Sequence, residues 1–138
     1  MDDATRAMLI EAAQRVRQQA YCPYSEFAVG AALLDDQGNV HLGVNVENAS
    51  YPVGICAERT ALCSAVTAGA RTFVGLALVT ASEESVAPCG MCRQALLEFA
   101  PTLPLILATP SGSWQETTLD AILGMQLDPK AVTESRNG

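Results

Sequence analysis

Three cysteines and one glutamate occur in two short motifs whose spacing suits metal chemistry. Residues 56–59 read Cys-Ala-Glu-Arg, and residues 88–94 read Pro-Cys-Gly-Met-Cys-Arg-Gln. Each motif is predicted to open a helix after a loop, where free backbone N–H groups and the helix dipole favour thiolates. Because thiolates bind zinc well, Cys56, Cys89 and Cys92 are predicted to hold one zinc ion.

Three cysteine ligands leave the fourth tetrahedral position of a zinc ion without a thiolate. Structural zinc sites normally have four protein ligands, whereas catalytic sites keep one position for water. Glu58 lies two residues after Cys56, so its carboxylate can face that water without binding the metal. The pattern predicts a catalytic zinc site in which Glu58 acts as general base and general acid.

The other candidate ligands are interpreted as structural residues. Cys63 lies two turns after Cys56 on the same predicted helix and is expected to be a small buried hydrophobic residue. Cys22 is interpreted as a packing residue in a turn, and His41 as an isolated surface or interface residue in a strand. A redox dithiol is the alternative interpretation of the Cys-x-x-Cys motif, but it leaves the first motif unexplained.

The elements that position these motifs alternate between helix and strand. Apolar spacing predicts helices at 4–19, 56–68, 89–99 and 119–123. Runs of β-forming or apolar residues predict strands at 27–34, 40–46, 74–80, 104–108 and 114–117, the first two as a hairpin and the last as an edge strand. This order indicates a three-layer α/β/α fold with a mixed, about five-stranded sheet. The 138 residues are predicted to form one domain, 1–138, with a loose tail at 128–138.

The composition disfavours several classes of protein. Hydrophobic residues make up 49% of the chain and charged residues 17%, which argues against disorder. The formal net charge of −7 argues against partners that are bound through phosphates, so nucleic acid and acidic membranes are not expected partners. The odd number of cysteines and the acidic N-terminus favour a reduced, cytoplasmic protein. The aliphatic excess predicts burial between subunits.

The two metal motifs together resemble those of the small, homotetrameric cytidine deaminases with three cysteine ligands. Segments 21–25 (Tyr-Cys-Pro-Tyr-Ser), 30–34 (Gly-Ala-Ala-Leu-Leu) and 45–49 (Asn-Val-Glu-Asn-Ala) are also similar, and the resemblance covers about residues 4–128. It implies a cytidine-deaminase-like fold, one Zn²⁺ per subunit and a homotetramer with its sites at subunit interfaces. The implied reaction is hydrolytic deamination of cytidine and 2'-deoxycytidine, with release of ammonia, in pyrimidine salvage.

The resemblance also implies roles for individual residues around the base. Phe27 would pack on the pyrimidine, and the backbone N–H of Ala57 would donate to the base carbonyl. Arg59 would donate hydrogen bonds to zinc-bound sulfurs and so offset the local charge of three thiolates on Zn²⁺. A surface ion pair is the alternative interpretation of Arg59.

The ribose is implied to contact a second group of residues. Asn45 and Glu47 would bind its 3'-hydroxyl, while Ala49 and Tyr51 would lie near the 5'-hydroxyl, with Tyr51 serving a neighbouring subunit's site. Alternation along a strand lets Asn45 and Glu47 point to one face, although two solvent-facing polar residues would show the same pattern. Leu127 stands where many family members have an aromatic residue that reaches an adjacent subunit's site, and it is predicted to replace that aromatic cap.

Three other functions stay open on this reasoning. A deaminase of the same fold could act on a nucleoside antibiotic or another aminated heterocycle. A zinc-stabilised interaction module would explain the cysteines but not the open metal position with Glu58. A nucleic-acid editing enzyme is disfavoured by the acidic balance of the chain.

Overall fold

Helices and strands alternate along the computed structural model, which describes residues 1–125, 127–130 and 133. The helices are α1 (Asp3–Val16), α2 (Ala57–Thr67), α3 (Gly90–Leu97) and α4 (Leu119–Ile122). The strands are β1 (Gly30–Asp35), β2 (Val40–Val44), β3 (Phe73–Val79), β4 (Pro104–Ala108) and β5 (Trp114–Thr118). Two short 3-10 turns, Arg17–Gln19 and Tyr51–Val53, follow α1 and precede α2.

The five strands form one mixed sheet in the order β2-β1-β3-β4-β5. β1 pairs antiparallel with β2 and β3, β3 pairs parallel with β4, and β4 pairs antiparallel with β5. β5 lies at one edge, as predicted. The parallel pair brings the carboxyl ends of β3 and β4 to the same edge, where Thr80 and Thr109 follow the strands and are buried.

Both faces of the sheet are covered, because side chains alternate along each strand. The face towards α1 includes Ala32, Leu34, Ala77, Val79, Ile106 and Ala108, which pack with Leu9 and Ala13. The opposite face includes Leu33, Leu76, Leu78, Leu105 and Leu107, which pack with Ala61, Leu62 and Leu96 of α2 and α3. The three-layer α/β/α prediction is therefore confirmed.

The backbone of β2 fixes the position of α2. A Cβ atom added at Gly43 would lie 2.3 Å from the carbonyl oxygen of Ala57 and 2.4 Å from the backbone nitrogen of Ala61. Only glycine permits so close an approach of helix and strand. Since Ala57 and Ala61 are fully buried, this contact holds the first turn of α2, which carries Glu58.

Both metal-motif helices begin one residue after a cysteine. Cys56 and Cys89 are N-caps with extended backbone, and the helices start at Ala57 and Gly90. The two cysteines therefore precede their helices, where the prediction put them inside. α2 ends at Thr67, one residue before the predicted end at 68, and Gly69 follows with a φ of +100°, a left-handed conformation that stops a helix.

Residues 27–29 do not join β1, although the sequence predicts a strand there. The side chain of Asn45 takes the hydrogen bonds that a neighbouring strand would supply. Its Oδ1 accepts from the Val29 N–H at 2.9 Å, and its Nδ2 donates to the Phe27 carbonyl at 2.8 Å. The segment therefore forms a loop, in which Phe27 is 36% exposed.

Two predictions about single residues were wrong. Cys63 is exposed on α2, not buried, in this single chain. His41 is not isolated, because its Nε2 lies 2.9 Å from Oδ2 of the buried Asp35 in the neighbouring strand. Sequence spacing did not reveal this pair because it forms across the β1–β2 hairpin.

The C-terminal tail is described only in part. Of the predicted loose tail, 128–138, Asp128 is irregular and Pro129, Lys130 and Thr133 are helical, whereas 131–132 and 134–138 lie outside the described residues. Among the described helices, none has both the length and the apolar character that a membrane crossing requires.

Candidate active site

Three sulfur atoms meet where the loops before α2 and α3 come together. The Sγ atoms of Cys56, Cys89 and Cys92 all lie within 4.8 Å of one another. Cys89 Sγ is 3.8 Å from Cys56 Sγ and 3.3 Å from Cys92 Sγ. Tetrahedral zinc with Zn–S bonds of about 2.3 Å separates its sulfur ligands by about 3.8 Å. The cluster therefore fits one zinc ion with small side-chain adjustments.

The pKa values of two of these thiols also suit a cluster that binds a zinc ion. A hydrogen bond from the Cys92 thiol, together with the Arg59 guanidinium, lowers the pKa of Cys56 to about 5. The pKa of Cys92 is raised, because its thiol donates to the Cys56 sulfur and is buried. A divalent metal ion bound at the cluster would favour the thiolate form of its sulfur ligands.

Glu58 projects from the first turn of α2 and is only 5% exposed. Burial raises the pKa of its carboxyl group, and the neighbouring Cys56 thiolate raises it further. A raised pKa makes a carboxyl group hold a proton more readily, which suits general acid-base catalysis. Glu58 therefore has the environment of a proton-transfer group next to the three sulfurs.

Arg59 points to the sulfur cluster, and it forms no ion pair with a carboxylate in the described part of the chain. Its Nη2 donates to Cys56 Sγ at 3.8 Å. Its Nε is buried and has no hydrogen-bond partner among the described residues. The guanidinium charge thus lies beside a sulfur atom, as the resemblance implies.

A cleft of about 490 Å³ opens beside the sulfur cluster. Small-molecule sites in proteins commonly have volumes of roughly 300 to 1,000 Å³. The predicted site residues that line it are Phe27, Asn45, Glu47, Tyr51, Cys56, Ala57, Glu58 and Arg59. The cleft thus joins one end of the sheet, the first turn of α2 and the loop before β1.

Asn45 and Glu47 share a face, because both reach the loop that precedes β1. The Oε1 atom of Glu47 accepts from the backbone N–H groups of Tyr24 at 3.0 Å and Ser25 at 3.1 Å, and its Oε2 accepts from the Ser25 hydroxyl. These hydrogen bonds, led by those from Ser25, lower the pKa of Glu47. The carboxyl group is therefore held in its charged form at the cleft wall.

Comparisons with known proteins agree on one family. The family model for the cytidine and deoxycytidylate deaminase zinc-binding region matches residues 3–106. Cytidine deaminases from Sporosarcina psychrophila and Halalkalibacterium halodurans are each 46% identical to this chain, over 83% and 86% of it and 85% and 90% of their own lengths. The crystal structure of cytidine deaminase from Burkholderia pseudomallei has a TM-score of 0.84 at 45% identity, covering 92% of this chain and 100% of that one. The chain belongs to the cytidine deaminase family.

In this member of the cytidine deaminase family, three of the predicted substrate-site residues are not buried in the cleft with the others. Ala49 is exposed and is not among the residues that line the cleft. Tyr51 lines the cleft edge but is 73% exposed, with its ring edge-on to Tyr24 at 5.9 Å. Leu127 lies away from the cleft, where its backbone N–H and carbonyl form two hydrogen bonds with the side-chain amide of Gln94, at 3.1 and 2.9 Å.

Several residues that line the cleft of this cytidine deaminase family member were missed by the sequence reasoning. They are Ser25, Val29, Val46, Pro52, Gly54, Ile55, Leu78, Thr80, Val86, Ala87 and Met91. Thr80 directly follows β3, and the end of a parallel strand is a common position for binding residues, which is a signal that could have found it. Ser25 lies in the similar segment 21–25, but its contact with Glu47 spans 22 positions and leaves no local signal.

Proposed function

We propose that this chain catalyses the hydrolytic deamination of cytidine and 2'-deoxycytidine to uridine and 2'-deoxyuridine, with release of ammonia. The observation that carries this proposal is the buried Glu58 carboxyl group beside three clustered sulfur atoms in a small cleft. Membership of the cytidine deaminase family supports the reaction, and the relatives described above are named for it.

In this proposal Cys56, Cys89 and Cys92 bind one zinc ion, which supplies Lewis-acid polarisation of the attacking water. Arg59 donates a hydrogen bond to the Cys56 sulfur and withdraws negative charge from it. Three thiolates carry more negative charge than a divalent ion carries positive charge, which would weaken the ion as a Lewis acid. The hydrogen bond from Arg59 reduces the electron donation from the Cys56 sulfur and so offsets this effect.

Glu58 moves the protons of the reaction. Its carboxylate takes a proton from water and gives it to N3 of the cytosine ring, which makes C4 more electrophilic. After the water oxygen has added to C4, Glu58 takes the proton of the new C4 hydroxyl group and gives it to the amino group, so that the C4–N bond breaks, the C4 carbonyl forms and ammonia leaves. General acid-base catalysis of this kind contributes about 10²- to 10⁴-fold.

The remaining cleft residues orient the nucleoside. The backbone N–H of Ala57 is one of the first N–H groups of α2, which have no acceptor within the helix, so it can donate to the base carbonyl. Phe27 offers an aromatic surface to the pyrimidine. Asn45 and Glu47 offer an amide and a charged carboxylate to the 3'-hydroxyl of the ribose.

The 5' end of the nucleoside would lie near Ala49 and Tyr51, both exposed in the single chain. Exposure of Tyr51 supports a homotetramer in which it serves a neighbouring subunit's site. Leu127 is also exposed and, fixed by Gln94, could contact a neighbouring cleft in place of an aromatic cap. The whole of 1–138 is proposed to act as one domain.

Reduced surroundings suit this site, because thiolate ligands must stay unoxidised. All five cysteines are free, including the exposed Cys63 and Cys89. We therefore propose a cytoplasmic enzyme of nucleoside salvage, without nucleic-acid or membrane partners.

A substrate panel tests the proposed function. Zinc-loaded protein is incubated with cytidine, 2'-deoxycytidine, a cytidine 5'-phosphate, cytosine and an aminated nucleoside antibiotic, and conversion is followed by ultraviolet absorbance. The first two should react fastest, because the cleft has hydrogen-bonding groups for a sugar hydroxyl. Conversion of the antibiotic alone would indicate a deaminase of the same fold that acts on nucleoside antibiotics. Conversion of no substrate would indicate a zinc-stabilised binding module.

A further inference from the structure

Ser25 connects two residues of the cleft that are far apart in the sequence. Its hydroxyl donates to Oε2 of Glu47 and accepts from the backbone N–H of Phe27 at 3.0 Å. Its own N–H donates to Oε1 of the same carboxylate at 3.1 Å. One small side chain thereby fixes both a charged group on one wall of the cleft and the start of the segment that carries the aromatic ring.

The hydrogen-bonding capacity of Glu47 shows what this contact leaves free. Each carboxylate oxygen accepts about two hydrogen bonds. Oε1 already accepts two, from Tyr24 and Ser25, whereas Oε2 accepts one, from the Ser25 hydroxyl. The acceptor site left for a ligand is therefore on Oε2, and the Ser25 hydroxyl determines its direction.

The loop around Ser25 needs such a restraint. Glu26, which separates Ser25 from Phe27, has a φ of +57°, in the left-handed region that residues with a side chain rarely adopt. Its N–H donates to the Cys22 carbonyl at 2.9 Å. Without the contact between Ser25 and the Phe27 N–H, the backbone at Glu26 would relax, and Phe27 would move with it.

We propose that Ser25 is a positioning residue for nucleoside recognition, which aims the free acceptor of Glu47 at a sugar hydroxyl and holds Phe27 over the base. This inference rests on the proposed function. Ser25 takes no part in proton transfer, because the groups that it contacts are a carboxylate and a backbone N–H outside the sulfur cluster. Its loss therefore affects substrate binding and selectivity, and not the chemical step.

Two substitutions separate positioning from a general structural role. Ser25→Ala removes both hydroxyl contacts, whereas Ser25→Thr keeps the hydroxyl at an exposed position. Ser64→Ala is the matched control, because Ser64 is exposed on α2 and is not among the residues that line the cleft. Each variant is assayed with cytidine and with 3'-deoxycytidine, and its bound zinc is measured.

Ser25→Ala should raise KM for cytidine about 10-fold, the cost of losing a hydrogen bond to a charged group, while kcat and zinc content stay within about 2-fold. The preference for cytidine over 3'-deoxycytidine should shrink by a similar factor. Ser25→Thr and Ser64→Ala should both resemble the wild type. Unchanged KM and preference in Ser25→Ala, or an equal fall in kcat for both substrates, would overturn the inference.

A readout in the free protein separates this inference from the proposed function. In ¹H–¹⁵N spectra, the Phe27 amide resonance should shift in Ser25→Ala and stay near its wild-type position in Ser25→Thr. An unmoved Phe27 resonance in Ser25→Ala would overturn the inference, whatever the activity. Wild-type protein that converts no cytidine would overturn the proposed function instead.

Discussion

The carboxyl group of Glu58 is subject to opposing influences. Burial favours its protonated form, whereas its place in the first turn of α2 favours the charged form. A group between these two states accepts and returns a proton easily, as the deamination requires. The same burial keeps bulk water from competing for that proton.

Replacement of Glu58 by glutamine removes the proton carrier and keeps the shape of the side chain. Glu58→Gln should retain one zinc per chain and lose about 10²-fold or more of kcat for cytidine, because an amide does not shuttle protons. Metal analysis and the absorbance assay check both parts. Substantial turnover in the zinc-loaded variant would assign the proton transfer to another group.

Arg59 should affect catalysis through the sulfur atom that it contacts. Arg59→Gln removes the charged donor at Cys56 Sγ, so turnover or zinc affinity should fall about 10- to 100-fold, as for other groups that support metal ligands. Arg59→Lys keeps the charge and should lose less. Chelator competition measures the zinc affinity, and kcat measures the turnover. An Arg59→Gln variant equal to the wild type in both would show that Arg59 has only a structural role.

Sequence spacing was sufficient for the sulfur cluster, because each metal motif brings its ligands to the start of a helix. It was not sufficient for Ser25, since the contact with Glu47 depends on how the loop folds back across 22 positions. Cys63 shows the limit of periodicity: its distance from Cys56 placed it on the right helix but on the wrong side, where it is exposed.

Among the secondary-structure elements, a strand in the interior of the sheet, with both of its faces covered, was easiest to predict. β4 has the predicted bounds, Pro104–Ala108, because it pairs with two strands and is covered on both faces. The segment 27–29 has similar β-forming residues, but Asn45 occupies its backbone groups. A side chain from a distant position thus overrode local propensity, and the sequence contains no local sign of it.

The β1–β2 hairpin contains a buried carboxylate, Asp35, whose hydrogen bonds contribute to stability in a way that depends on pH. Asp35 accepts hydrogen bonds from His41 and from the Asn39 and Gln37 N–H groups, of which the one from His41 does most to lower its pKa from 3.8 to about 2. Because the folded-state pKa is lower than the unfolded one, the benefit is complete above about pH 4 and is lost as the pH falls to about 2.

Asp35→Asn should therefore destabilise the protein at pH 7 and cease to differ from the wild type near pH 2. Urea unfolding of both proteins at several pH values measures this difference. Asp36→Asn is the matched control, because Asp36 is exposed in the same turn. A destabilisation by Asp35→Asn that is equal at pH 7 and pH 2 would mean that the charge of Asp35 is not what stabilises the hairpin.

On the surface of the molecule, several apolar side chains next to the cleft are exposed. Tyr51 and Val53, in the 3-10 turn before α2, are 73% and 65% exposed, and Met91 lies 63% exposed on α3. Surfaces of this kind beside a binding site are typical of subunit interfaces. They support the proposed homotetramer, in which a neighbouring chain would cover them.

Light scattering on a sizing column tests this assembly. The wild type should have the mass of four chains, and Val53→Asp should weaken the assembly about 10-fold or more, because it would bury an unpaired charge. Val53→Thr, similar in shape and uncharged, serves as the control. A monomeric wild type with full activity would show that each cleft works without a neighbour.

We expect one zinc ion, held by Cys56, Cys89 and Cys92, to make this chain an active cytidine deaminase with Glu58 as proton carrier. Titration of the metal-free protein with zinc, while cytidine conversion is followed by absorbance, tests this expectation most directly. The rate should rise in proportion to added zinc and level off at one zinc per chain. A protein that binds one zinc per chain and converts no cytidine, or that converts it equally well without metal, would contradict this role of the zinc ion.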